Sequence, residues 1–384
     1  MRLRGLFFAL FSVSFLGALG ATANPSTSKQ AARRRAAENV GTLHRRSYFY
    51  VGGVYDVLGQ NGSALSSEQT YVEHLLPQNI KQRYPIVIIP GYGMTGTNFL
   101  NTPDGRRGWA DYFLEKGYEL FILDQPSRGR SPWQPGIDGT LFTFDSLTIE
   151  ERFTAAQKYD LWPEARLHTQ WPGEGVRGDK IFDNFYRSIV PSLLSNTDSS
   201  QKTTDAAAAL LDEIGPAVIL THSQSGMYSW PIADVRPTLV KAIITLEPNG
   251  PPFINAVFPP FTADRPYGLS EIPLQFSPPI QSAADLQPVV VSSTTNFTCM
   301  DQSSPPRKLV NLLKIPVLFI TSESGYHSVY DRCSVSFLKN AGVNVDHANL
   351  GEVGIRGNGH MMFMEKNNID IADKVIHKWL KERF

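Results

Sequence analysis

The sequence predicts a doubly wound α/β domain built on a mostly parallel sheet, and three observations predict it. First, short apolar runs rich in β-branched residues recur along the chain: "PIVIIPGYG" (85–93), "YELFILDQP" (118–126), "AVILTHS" (217–223), "KAIITLEPNG" (241–250) and "IPVLFITSES" (315–324). Near-continuous apolar runs suit strands covered on both faces, as in a parallel sheet. Second, helical stretches lie between these runs, and strand–helix alternation is the pattern of a doubly wound fold. Third, most of the runs end in turn residues, where such sheets place their functional loops.

Taken in order, the chain opens on "MRLR", then "GLFFALFSVSFLGALG", then "ATA". A basic start, an apolar core and an A-x-A site read as a signal peptide over 1–23, removed on secretion. Residues 24–46, polar, basic and ending in Arg45-Arg46, read as a leader or propeptide-like segment. The remainder, 47–384, is expected to form the α/β domain. No later run is long and apolar enough to span a bilayer, so the mature chain is expected to lack a transmembrane segment and to be extracellular.

"SYFYVGG" and "TYVEHLLP" read as early antiparallel strands, and "VNVDHANL" (343–350) as the last strand. "WADYFLEKG" is a helix stopped at Gly117. "TTDAAAALLDEIGP" is a helix with Thr and Asp at its start and Gly215-Pro216 as terminators, and "IDIADKVIHKWLKERF" closes the chain as a helix. Two connections, near 127–202 and 251–308, are too long for simple crossovers and read as lid-like or binding insertions.

The 384 residues are 42% hydrophobic and 19% charged, ordinary for a domain with a substantial core. Acidic and basic residues balance at 36 each, which argues against a general nucleic-acid binder. The two cysteines, Cys299 and Cys333, are expected to pair in an oxidising compartment. Asn61 and Asn296 head N-x-[ST] sequons and are candidate glycan sites.

The chemistry gathers around "ILTHSQSGMYSW" (219–230), an apolar run that passes through serines into a helical stretch. A nucleophilic serine on a tight strand-to-helix turn needs small neighbours two residues away on either side. Centred on Ser225, one of those neighbours would be Met227; centred on Ser223, they are Thr221 and Ser225. Ser223 is therefore the expected nucleophile, although Thr221 is larger than the glycine usual there. Two backbone N–H groups should face the developing oxyanion. Gln224, following the nucleophile, supplies one, and Tyr92, in the glycine-flanked turn after "PIVII", supplies the other.

Of eight histidines, His360 in "IRGNGHMMFMEKN" falls between the last strand and the last helix, where a general base belongs. The acid is open on the residues alone. Glu247 follows the strand after the serine turn; Glu323 and Asp331 follow the next strand and are the alternatives. These features together point to an α/β-hydrolase fold.

The motifs "TPDGRRGW" (102–109), "LDQPSRGRS" (123–131), "THSQSG", "LEPNG", "RPYGLSEIPL" (265–274) and "GNGHMMFMEKN" resemble a group of secreted α/β-hydrolase esterases, bacterial and fungal, whose triad acid is a glutamate after the sixth strand. The resemblance implies Ser223, Glu247 and His360 as the triad. The expected activity is carboxylic-ester hydrolysis through an acyl-enzyme, on a small-molecule or lipid ester, with no cofactor and no metal. The alternatives are a lipase specific for lipid esters and a non-catalytic binding protein on the same fold.

Overall fold

The computed structural model describes residues 41–58, 61–256, 261–293 and 297–384. The expected signal peptide, most of the expected leader and the candidate glycan site Asn296 lie outside the described residues.

Eight strands form the main sheet: β1 (His44–Val51), β2 (Thr70–Pro77), β3 (Ile86–Ile89), β4 (Leu120–Asp124), β5 (Ala217–His222), β6 (Val240–Leu246), β7 (Val317–Thr321) and β8 (Val345–Asn349). Their order across the sheet is β1-β2-β4-β3-β5-β6-β7-β8. Strand β2 runs antiparallel to both β1 and β4, and every other pairing is parallel. The order reverses between β3 and β5, the place where loops at the carboxyl ends of such strands part to form a crevice.

The central strands are apolar on both faces, and alternate residues enter opposite cores. Ile86, Ile88, Leu120, Ile122, Val218, Leu220, Leu318 and Ile320 pack on one side. They meet Trp109 and Phe113 of α1 (Trp109–Glu115) and the closing helical segments Asn368–Ile371, Ala372–His377 and Lys378–Lys381. Val87, Ile89, Phe121, Leu123, Ile219, Ile243, Val317 and Phe319 pack on the other side. Their partners come from α2 (Asn196–Ile214), α3 (Gln224–Val235) and α4 (Asp331–Asn340), through Leu210, Leu211, Trp230, Phe337 and Leu338.

Two expected boundaries are corrected. The leader was expected to end at Arg46, yet β1 begins at His44, and Arg45 and Arg46 pair with Leu76 and Leu75 of β2. Arg46 also donates to Glu73, so the dibasic pair belongs to the sheet. The first insertion ends earlier than 202, because α2 starts at Asn196 with the Ser195 hydroxyl accepting from the Asp198 N–H as its cap.

Cys299, in the second insertion, is joined to Cys333 of α4 by a disulfide with Cα atoms 5.4 Å apart. The bond closes a 34-residue separation, and loop closure of that size contributes roughly 3–4 kcal/mol. Among the described residues no helix is long and apolar enough to cross a membrane.

Candidate active site

Ser223 occupies the single step between β5 and α3, with φ 56° and ψ −124°. A non-glycine residue there stores on the order of 1–3 kcal/mol of strain and persists only when its surroundings hold it. Both of its backbone groups are held: its N–H donates to the Leu246 carbonyl (2.9 Å), and its carbonyl accepts from Gly226 (2.9 Å) and Asn249 (3.0 Å).

The neighbouring residues show how "THSQSG" makes this turn. The Ser225 hydroxyl donates to the Ile89 carbonyl (2.6 Å) and accepts from the His222 N–H (3.0 Å), so it bridges β3 to the turn and is fully buried. Thr221 fits because its hydroxyl has partners where a methyl would not: it lies 2.9 Å from the Ser229 hydroxyl and donates to Thr245 (3.1 Å). The position that tolerates no side chain is Gly226, where a Cβ would fall 2.3 Å from the Cβ of Pro248. That close approach brings the start of α3 against the loop that carries Glu247.

Glu247 follows β6, and its Oε2 lies 2.6 Å from His360 Nδ1. The other oxygen, Oε1, accepts from the Ser322 N–H (2.8 Å) and from the Ser322 hydroxyl. Burial pushes the Glu247 carboxyl up, but His327, the His360 bond and the Ser322 hydrogen bond outweigh it, holding it below the usual carboxylate range. The His360 ring is pushed below its ordinary value by burial, opposed by the bond to Glu247. It is therefore a neutral base at neutral pH, and its Nε2 has no protein partner among the described residues.

The alternative acids are elsewhere engaged. Glu323 accepts from Arg356 (2.9 Å) and the Gly357 N–H (2.7 Å). Asp331 accepts from the Thr321 hydroxyl (2.8 Å) and lies 2.9 Å from His327 Nδ1. Burial pushes the Asp331 carboxyl well up, toward its neutral form.

Contacts that the sequence does not signal hold the histidine loop. The Nε2 of His222 lies 2.9 Å from the His360 carbonyl. Its ring is kept neutral by burial, so that nitrogen is the donor. Glu365 accepts from the Gly359 N–H (3.0 Å) and from Asn358 (2.7 Å) and lies 2.6 Å from Nε2 of His168, a residue of the first insertion. The His327 ring stacks on His360 with centroids 5.1 Å apart. Among the described residues, donor atoms of Glu247, His327 and His360 lie within 4.8 Å of one another and form a cluster that could hold a metal. The Glu247 oxygens and His360 Nδ1 are already committed to one another and to Ser322.

Ser223, Gln224, Tyr92 and His360 line one cavity of about 240 Å³, walled by Phe142, Phe144, Phe153 and Tyr326. Among the described residues, the N–H groups of Tyr92 and Gln224 donate to no protein acceptor. Gly91 precedes Tyr92 in tight quarters, since a Cβ there would fall 2.9 Å from His222 Nδ1.

No family model matches the chain. A protein named "Probable secreted lipase phiG", from Fungal sp. (strain ATCC 74256), is 47% identical over 340 residues, which cover 88% of this chain and 90% of that protein. The chain belongs to this family of secreted esterases and lipases. Among solved structures, that of a novel bacterial esterase aligns with a TM-score of 0.59 and 24% identity, covering 89% of this chain and 96% of the other. This likeness fits the α/β-hydrolase strand order seen here. A peroxisomal alpha-beta-hydrolase from Saccharomyces cerevisiae aligns at a TM-score of 0.40 and 11% identity, covering 88% and 89% of the two chains. The chain carries its candidate residues after strand ends: Tyr92 after β3, Ser223 after β5, Glu247 after β6 and His360 after β8.

Proposed function

We propose that the protein is a serine carboxylic-ester hydrolase working through Ser223, His360 and Glu247. The observation that carries this reading is that His360 spends Nδ1 on buried Glu247, keeps Nε2 free, and shares one cavity with strained Ser223. In this reading Ser223 Oγ attacks the ester carbonyl while His360 Nε2 takes its proton. The C–O bond to the alcohol then breaks as His360 returns the proton to the leaving oxygen. Water repeats the sequence on the acyl-enzyme and frees the acid. Glu247, ionised, orients the ring and stabilises the imidazolium. The N–H groups of Tyr92 and Gln224 face the oxyanion, and each such donor contributes on the order of 3 kcal/mol. Nothing in this sequence of steps calls for a metal or cofactor.

The substrate reading is an ester with an apolar arm. The cavity wall is aromatic, and Phe142 and Leu194 at its edge are also solvent-exposed. A second cavity of about 980 Å³, formed by the second insertion, shares Asp264 and Arg265 with the first. The family relative named a lipase agrees with lipid esters as substrates. Secretion through cleavage after Ala23 and glycosylation of Asn61, which lies in an exposed turn, belong to the same reading.

The test is hydrolysis of p-nitrophenyl esters graded by acyl length, by the wild type, Ser223→Ala and Ser225→Ala. We expect the first variant to lose activity by a factor of roughly 10⁴ or more. Ser225→Ala should keep measurable turnover and unfold more readily. Equal loss in both variants, or loss only in the second, overturns the assignment.

A further inference from the structure

The stretch "LDQPSRGRS" has no role in the chemistry so far, yet it contains a cation with unusual surroundings. Arg128 lies in the loop after β4 and is only 2% exposed. Among the described residues no carboxylate pairs with it: nearby Asp124 is committed to Arg130, at 2.7 Å and 3.0 Å, and to the Gly96 N–H. A buried cation without a direct counter-ion is costly, by several kcal/mol in ordinary protein interiors. Its cost is met only in part by neutral acceptors, so a purely structural role is a poor explanation for it.

Its two hydrogen bonds identify what it holds. Nη1 donates to the Gly91 carbonyl (2.8 Å), and Nη2 donates to Gln224 Oε1 (2.9 Å). The guanidinium also sits 5.6 Å from the centre of the Tyr92 ring. The Gly91 carbonyl and the Tyr92 N–H are the two ends of one peptide unit. Pinning the carbonyl from behind aims the N–H forward, and a peptide flip would have to break a charge-assisted bond to a buried guanidinium. The second bond holds the residue whose N–H is the other oxyanion donor. Gln125 reinforces the same turn through the Pro90 carbonyl (2.6 Å), but it carries no charge and reaches one segment only.

We propose that Arg128 is the positioning residue of the oxyanion hole. It locks the Gly91–Tyr92 peptide plane, sets the spacing of Tyr92 from Gln224, and places a fixed positive charge behind both donors. The inference rests on the reading of those two N–H groups as oxyanion donors. A hydrogen bond to the carbonyl also polarises the amide and strengthens its N–H as a donor. A preorganised cation in a water-excluded site acts on charge that develops in the transition state and little on the neutral ester. The effect should therefore fall on kcat.

The experiment compares wild type, Arg128→Met and Arg128→Lys on p-nitrophenyl butyrate, reading kcat and KM separately. Inhibition by an alkyl boronic acid, which forms a tetrahedral anion on the serine, and labelling by a fluorophosphonate are measured alongside. Removing a whole oxyanion donor costs roughly 10²–10³ in kcat, so misaiming donors in Arg128→Met should cost roughly 10- to 100-fold, with KM nearly unchanged. The boronate should weaken by the same factor, and Arg128→Lys should recover part of both. Wild-type kcat in Arg128→Met, or a lost kcat with undiminished boronate binding, overturns the proposal. If Arg128→Met does not fold, Arg128→Lys decides: it keeps the charge but cannot fork across both acceptors. Lowered kcat and boronate affinity then support the proposal, and wild-type values overturn it. A wild type that neither cleaves the ester nor takes up the phosphonate overturns the hydrolase reading itself, which is a different result.

Discussion

At the scale of single residues, two buried carboxyls after neighbouring strands are driven in opposite directions. Glu247 is held below the usual carboxylate range by His327, His360 and Ser322 against its burial, while burial drives Asp331 well up. A carboxylate that must stabilise an imidazolium has to be ionised, and an amide mimics only the neutral acid. Glu247→Gln should therefore lower kcat by roughly 10³–10⁴, by analogy with amide replacement of a triad acid. Asp331→Asn and Glu323→Gln should stay within about tenfold of wild type. Steady-state kinetics on one ester checks all three, and a dead Asp331→Asn beside an active Glu247→Gln would reverse the assignment. The choice among these acids was not legible in the residues alone. All three follow strands, and they differ only in which one reaches His360, 113 residues from Glu247. The place of Ser223 at the step between β5 and α3 was legible because the constraint is local, a turn that rejects Met227 on one side. Thr221 was the awkward residue, and its explanation lies in two hydroxyls, Ser229 and Thr245, brought to it by α3 and β6.

At the scale of elements, the site depends on α3 starting hard against the loop after β6. The glycine that permits it is three residues beyond Ser223 rather than two, a place to which the usual pattern gives no weight. Gly226→Ala should push α3 away from Pro248, since its Cβ would fall 2.3 Å from that ring's Cβ. Overpacking of this kind costs roughly 1–3 kcal/mol, and here it should also misplace Ser223 relative to His360. Thermal melting together with kcat reads both effects, and a variant with wild-type values in both would contradict this packing argument. The disulfide between Cys299 and Cys333 ties the second insertion to α4. Reduction, or Cys299→Ser, should lower stability by roughly 3 kcal/mol. Because Asp264 and Arg265 line both cavities, it should weaken turnover of long-chain esters more than short ones. Equal losses across chain lengths would separate the insertion from substrate binding.

At the scale of the whole molecule, the sheet was readable because its central strands are buried on both faces and appear as apolar runs. The edge was less readable. Strand β1 is exposed along most of its length, and an edge strand needs no apolar pattern, so its first three residues resembled the polar sequence before them. The molecule also buries several neutral imidazoles: burial lowers the pKa values of His222, His327 and His360, that of His327 to about 4. In the unfolded chain these rings take up protons below about pH 6.5. The unfolded state then binds more protons than the folded one, so stability should be full above about pH 6.5 and fall as pH drops from there toward 4. The depressed carboxyl of Glu247 acts in the same direction, since its contribution is lost as pH falls through its folded pKa. Because His360 stays neutral below the ordinary histidine range, the acid limb of kcat/KM should lie below pH 6.5. Denaturant melts across this window, with a pH–rate profile, check both, and a flat stability curve would contradict the protonation argument. The central claim is that Ser223 is the reacting atom's owner in the folded protein. Treating the intact chain with a fluorophosphonate and mapping the adduct by tandem mass spectrometry tests it most directly. We expect a single adduct on Ser223, lost in Ser223→Ala and strongly slowed in His360→Ala. An adduct on Ser225, or labelling that persists in Ser223→Ala, would contradict it.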